Sequence, residues 1–231
     1  MFFSLISMWR LFLFSVFCFH LLPGQNIVTR AAKVIDGEDY FFKLMTEAML
    51  EVEDYGWSNL KCDNNTVTLN ERMYNWMVTG NVKYTNGFLI SIQKIGLDKI
   101  QASAFDTNAY VRGTLHFMDM KVGFDVTADL GDDGIHKYTG TFLHTNTAWT
   151  ISITKDFETD KITTSCRISS LSGGLHKMIY MPADHITQVL SRKYTPGNIY
   201  DSVDQWGIDV IGPAMLKAAD KIGFPEVCLS C

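Results

Sequence analysis

Between Thr66 and Ser170 the chain alternates apolar and polar residues at a period of two, almost without a break. That pattern describes strands with one buried face and one wet face. Val78, Gly80, Val82 and Tyr84 alternate with Thr79, Asn81 and Lys83, and Asn86-Gly87 follows as a tight-turn dipeptide. Val111, Gly113, Leu115 and Phe117 share a side until the phase flips near Asp119. Met120, Val122, Phe124, Val126 and Ala128 then take it over, which predicts a bulge or a short connection. Beyond the Gly131-Asp132-Asp133-Gly134 turn, Tyr138 to His144, Trp149 to Ile153 and Ile162 to Ile168 continue the alternation. The connections are short, so neighbouring strands are antiparallel; parallel ones need long crossovers.

Helical patterns flank this run. From Lys33 to Tyr55 the residues Val34, Phe41, Leu44, Met45, Ala48, Met49 and Val52 recur at three and four, and Gly56 is a natural stop. After Gly174 the pattern predicts a helix over Pro182 to Tyr194, a break at Thr195-Pro196-Gly197, and a long helix over Asn198 to Gly223. Gly212-Pro213 inside the latter predicts a kink or two abutting helices. The expected fold class is α+β, with an antiparallel sheet curling so that the helices fill its concave side. No repeat or low-complexity linker divides the chain, so residues 25–231 read as one domain.

The amino terminus reads as a secretory signal over residues 1–24: Arg10, then the apolar stretch Leu11 to Leu22, then Pro23-Gly24. A membrane anchor would set Arg10 deep in hydrocarbon, so cleavage, secretion and no stable membrane insertion afterwards are expected. Removal of Cys18 leaves Cys62, Cys166, Cys228 and Cys231 as disulfide candidates in an oxidising compartment. A tie of the carboxy-terminal pair to Cys62 or Cys166 is the favoured pairing. Asn64-Asn65-Thr66 is a sequon in a polar stretch, which makes Asn64 a glycosylation candidate and the protein an expected glycoprotein.

Composition narrows the function. A net charge of −5 with no basic run argues against nucleic acid as a partner. The histidines form no metal-ligand pair, no Gly-x-Ser-x-Gly elbow occurs, and Asp129, Asp132 and Asp133 lack the spacing of a calcium loop. No catalytic residue, metal or cofactor is therefore expected, and the chain does not read as an enzyme. Only 19% of residues are charged, against about a quarter in an average domain. A secreted, apolar, aromatic-rich chain leans towards a binder or carrier of a hydrophobic small molecule or lipid in an apolar tunnel between sheet and helices. The candidate ligand-binding residues are Met45 and Met49 on the first helix, and Leu115, Phe117, Phe124, Trp149 and Ile151 on the sheet. Val203, Trp206 and Val210 would close the space from the last helix, and Trp206 is expected to matter more to binding than Trp57. The alternative is a protein- or bacterial-surface-recognition module with a solid core, binding through an exposed apolar patch.

Several strings carry a family likeness: Val78-Thr79-Gly80-Asn81-Val82-Lys83-Tyr84, Leu97-Asp98-Lys99-Ile100-Gln101-Ala102-Ser103 and Val111-Arg112-Gly113-Thr114-Leu115-His116-Phe117. Asp125-Val126-Thr127-Ala128-Asp129-Leu130-Gly131 and Gly173-Gly174-Leu175 extend it. In these residues and their order the chain resembles the group-7 mite allergens and, more distantly, the takeout and juvenile-hormone carrier proteins of arthropods. The resemblance implies the tubular lipid-binding (TULIP-like) super-roll of the bactericidal permeability-increasing proteins, a strongly curved antiparallel sheet wrapped around long helices. It implies lipid or terpenoid-like ligands and no catalytic residues. The chain departs from the hormone carriers in having no matching cysteine pair before Cys62, so no disulfide pairing is carried over.

Overall fold

The computed structural model describes residues 32–170, 175–194 and 197–229. The expected signal peptide over 1–24, the Gly173-Gly174 step, Thr195-Pro196 and Cys231 lie outside them. Strand β1 (Lys33–Val34) leads into helix α1 (Gly37–Tyr55), followed by β2 (Lys61–Cys62), β3 (Asn65–Met73), β4 (Trp76–Ser91) and β5 (Lys94–Ala104). Two long strands come next, β6 (Asn108–Asp129) and β7 (Ile135–Asp156), then β8 (Ile162–Ser170) and β9 (His176–Met181). Helices α2 (His185–Lys193), α3 (Gly197–Trp206) and α4 (Gly212–Ile222) precede β10 (Val227–Cys228), and a π-helical turn over Gly207–Ile211 joins α3 to α4.

Strands β2 to β9 form one antiparallel sheet in the order β2-β4-β6-β7-β8, with β3 on β4, β5 on β6 and β9 on β7. Strands β6 and β7 are its spine, paired from Asn108↔Asp156 to Asp129↔Ile135 in one unbroken register. The phase flip read near Asp119 is real: odd positions are buried from Ala109 to Phe117 and even ones from Met120 to Ala128. It needs no bulge, because β7 flips at the same level, between buried His144 and buried Thr147. Asp119 takes φ 50, and the two strands swap faces together without losing register. Asn86-Gly87, by contrast, makes no hairpin. It lies within β4 at a register shift between Thr85 and Phe88, where a Cβ on Gly87 would meet the Phe124 ring at 2.4 Å. Close approach, rather than a chain reversal, is what that glycine permits.

The ends of the chain also differ from the sequence reading. Lys33–Val34 is a strand, paired with Val227–Cys228, and the helix begins only after Asp36, at φ 50. His176–Met181 is an edge strand on β7, placed ahead of the helices. The helix α2 is capped by Asp184, whose carboxylate accepts the Thr187 N–H at 2.8 Å while the Asp184 N–H reaches the Thr187 hydroxyl. At Gly212-Pro213 two helices abut through the π-helical turn, in which the Gly212 N–H bonds the Gly207 carbonyl, five residues back. The widened turn accommodates a proline ring that would clash with a carbonyl four residues earlier.

The helices cover one face of the sheet. α1 packs on α4, β5 and β6, and α4 packs on β8. Phe41, Leu44 and Met45 of α1 are buried, each side chain contributing roughly 1.5–3 kcal/mol by leaving water. Phe41 sits directly over Gly113, where a Cβ would come within 2.7 Å of its ring. Glu47 and Glu51 of α1 pair with Lys221 and Lys217 of α4, so the two helices run antiparallel. Gly113→Val is expected to lower unfolding free energy by about 1–3 kcal/mol through overpacking against Phe41, read as a reduced midpoint in urea denaturation. An unchanged midpoint would contradict this account of the helix seat.

Candidate functional site

The inner arc of α1 is buried, yet a second stripe remains beside it. Phe42, Met45, Thr46, Met49, Leu50 and Glu53 follow spacings of three and four, so they share one side of the helix. Ile95 and Leu97 of β5 and Leu115 of β6 face this stripe, and Trp57 stands just past the end of α1. Together they enclose a groove of about 460 Å3, within the roughly 300–1,000 Å3 of ligand pockets. Its rim is apolar and wet: Phe42 is 43% exposed, Leu50 52% and Ile95 38%. The Thr46 hydroxyl donates to the Phe42 carbonyl at 2.9 Å, which leaves Glu53 as the one charged side chain in the lining.

Of the ten residues expected to contact a ligand, Met45, Met49 and Leu115 meet at this groove. Trp206 and Val210 line a separate cleft of about 180 Å3 with Tyr55, Lys61 and Asp63, and the Trp206 indole N–H donates to the Lys61 carbonyl. Phe117, Trp149, Ile151 and Val203 are fully buried, and Phe124 nearly so. Phe117 packs edge-on against Trp149 with ring centroids 4.6 Å apart, and the Trp149 N–H donates to the Val203 carbonyl at 3.2 Å. These groups tie the sheet to α3. Trp57 also packs edge-on against Phe117, with ring centroids 6.0 Å apart, and it is Trp57 rather than Trp206 that borders the groove. The groove's other apolar residues, Phe42, Leu50, Ile95 and Leu97, were not among those named from the sequence, which set Trp57 below Trp206. The available signal was that apolar residues on α1 occupy a wider arc than one helix face needs.

Towards the other end of β6 and β7, where Tyr84 pairs with Val126 and Tyr180 with Gly140, lies a tyrosine network. Tyr84 and Tyr180 share a hydroxyl hydrogen bond of 2.7 Å, and the Tyr138 hydroxyl donates to Asp184 at 2.7 Å. Burial pushes the Tyr84 and Tyr40 phenols up to about 12. Burial also raises Tyr138, Tyr180, Tyr194 and Tyr200, with the Asp184 carboxylate adding to the effect at Tyr138. Burial pushes the Asp184 carboxyl up, but hydrogen bonds from the Thr187 N–H and the Tyr138 hydroxyl outweigh it and hold the group below its ordinary range. On the sheet, His116 Nε2 lies 3.0 Å from Asp98 and its Nδ1 3.0 Å from Asn146. The hydrogen bond to His116 lowers Asp98. A polar cavity of about 530 Å3 lies elsewhere, bordered by Asp125, Lys137 and Met181. Among the described residues no cluster of His, Cys, Asp and Glu could hold a metal ion.

The cysteines correct the expected pairing. Cys62 and Cys166 are free, buried thiols, both pushed up to about 12, chiefly by burial. Cys62 faces Ser202 of α3, and Cys166 lies beneath Gly207. The tail is held elsewhere, Cys228 lying opposite Lys33. Cys228 is disulfide-bonded. Asn64 is exposed in the loop between β2 and β3, its side-chain oxygen accepting the Asn86 N–H at 3.2 Å.

No family model and no curated protein matches this chain. Fifteen chains of solved structures do. One of them, the crystal structure of lipopolysaccharide binding protein, aligns with a TM-score of 0.50 at 6% identity over 82% of this chain. The chain spans 39% of that protein's length. At that identity the likeness is one of fold, a lipid-binding protein's fold, and it lends nothing specific to kinship with mite allergens or takeout proteins.

The buried phenols carry a pH dependence. Their native values exceed that of a free phenol, about 10, so the stability they contribute is full below pH about 10 and is lost as pH rises through the native values. Absorbance at 295 nm from the native protein is expected to lag behind that of the unfolded chain, the missing part emerging together with loss of the circular dichroism signal. A native titration overlaying the unfolded one would contradict the burial of this network.

Proposed function

We propose that the chain is a secreted, non-catalytic binder of an amphipathic lipid, and that the groove between α1 and the β5–β6 pair holds the guest's apolar part. The observation that carries this reading is the groove itself: a cavity of about 460 Å3 whose apolar rim stands in water. Covering that rim stabilises by roughly 25 cal/mol per Å2 of apolar surface removed from water. The fold likeness to lipopolysaccharide binding protein supports a lipid or bacterial-surface ligand. On this reading the sheet curves around the helices as in the tubular lipid-binding super-roll, and Asn64 carries a glycan at the exposed loop.

The second reading, a recognition module with a solid core, draws on the tight contact of Phe117 with Trp149 and Val203. It differs in its binding partner, a macromolecular surface instead of a single lipid chain. A titration with dodecanol, followed by tryptophan emission, separates the two. A saturable change is expected with the native chain, retained in Trp206→Phe and lost in Trp57→Phe. Met49→Glu, which sets a charge in the apolar lining, is expected to weaken binding about tenfold or more, equivalent to at least ~1.4 kcal/mol. Retention of the signal in Trp57→Phe with its loss in Trp206→Phe would move the guest to α3. No saturable change would favour the recognition module.

A further inference from the structure

We infer that the groove selects a single-chain amphiphile with a cationic amine head, seated at its Glu53 end; this rests on the lipid-binding reading above. Along α1 the lining stripe runs from Phe42 to Glu53, a rise of about 16 Å, and carries no charge until its last member. No lysine or arginine lines the groove. The Thr46 hydroxyl proton is committed to the Phe42 carbonyl, so the lining's remaining means of holding a polar head is the Glu53 carboxylate, an acceptor when ionised.

Two further features favour a cation at the same end. The last turn of α1 has no basic residue, so only the N–H groups of Gly56 and Asn59 offset the partial negative charge of the helix carboxy terminus. Trp57 places an aromatic ring there, the best of the side chains for receiving an ammonium over its face. Glu47 and Glu51 on the same helix are neutralised by Lys221 and Lys217, whereas Glu53 has no ion-pair partner among the described residues. A carboxylate or phosphate head would meet like charge at this position. An ammonium head meets a carboxylate, a helix end and a π face together.

The test uses the full secreted chain at low salt and neutral pH, with three matched probes below their micelle concentrations: dodecylamine, dodecanol and dodecanoate. Tryptophan emission reads binding. Dodecylamine is expected to bind about tenfold or more tightly than dodecanoate, with dodecanol between them. Glu53→Gln is expected to collapse that ratio and Glu53→Lys to invert it, with the melting transition of each variant confirming the fold. Raising salt is expected to shrink the ratio, since the site is open to screening. Equal or tighter binding of dodecanoate, or an undiminished ratio in Glu53→Gln, would overturn the inference while leaving a lipid groove. Failure of all three probes to bind would instead overturn the groove reading beneath it. So would sedimentation showing the groove closed by a second copy of the chain.

Discussion

The pairing of β6 with β7 is the constraint on which the rest of the molecule depends. Its register runs unbroken from Asn108↔Asp156 to Asp129↔Ile135, and every other strand of the main sheet attaches to it directly or through β4. Because side chains alternate strictly along a strand, a change of phase in β6 alone would turn half its apolar residues to water. The matching flip in β7 removes that penalty. Leu115 and Phe117 on one side of Asp119, and Val122 and Phe124 on the other, thereby reach the same interior. The continuous apolar face so formed is what α1 and α4 cover.

Coverage is incomplete in one place, and the reason is geometric. The helix α1 carries apolar residues over an arc wider than the sheet and α4 can meet at once. Phe41, Leu44 and Val52 are sealed between them, Met45 and Met49 lie at the edge, and Phe42 and Leu50 face water. Gly113 lets Phe41 seat deeply, which fixes how closely the helix approaches β6. The separation left between the outer stripe and Ile95 and Leu97 is the groove. Large apolar side chains thus stand exposed around a concavity at the helix–sheet margin, while Trp149 and its neighbours are fully buried, and this contrast is why the proposed binding surface is placed there.

The sequence made the strands and their antiparallel order legible because a period of two over so long a run admits no helix. The flip at Asp119 was visible too, although its resolution required the partner strand. Asn86-Gly87 misled because the same dipeptide that turns a hairpin also permits the close approach of Phe124. β1 and β9 were hidden, one being two residues long with its partner at the far end of the chain, the other too short for its alternation to stand out from the helical stretch after it. Met45, Met49 and Leu115, read from apolar positions on inward faces, border the groove. Phe117, Trp149 and Ile151 share that property but are fully buried, a distinction that depends on helix-to-sheet spacing and that no residue pattern encodes. The tie from the tail to Cys62 or Cys166 failed for a similar reason: cysteine count is local, and the distance from β10 to β2 or β8 is not.

The location of the guest is the central claim, and methyl-labelled methionine NMR addresses it directly. Met45 and Met49 border the groove, whereas Met120, Met178 and Met215 are buried in the interior. Saturation with dodecanol should shift the Met45 and Met49 methyl signals and leave those of Met120, Met178 and Met215 in place. Shifts concentrated at Met120 and Met215 would put the guest between sheet and helices, and would contradict a binding site at the margin of α1.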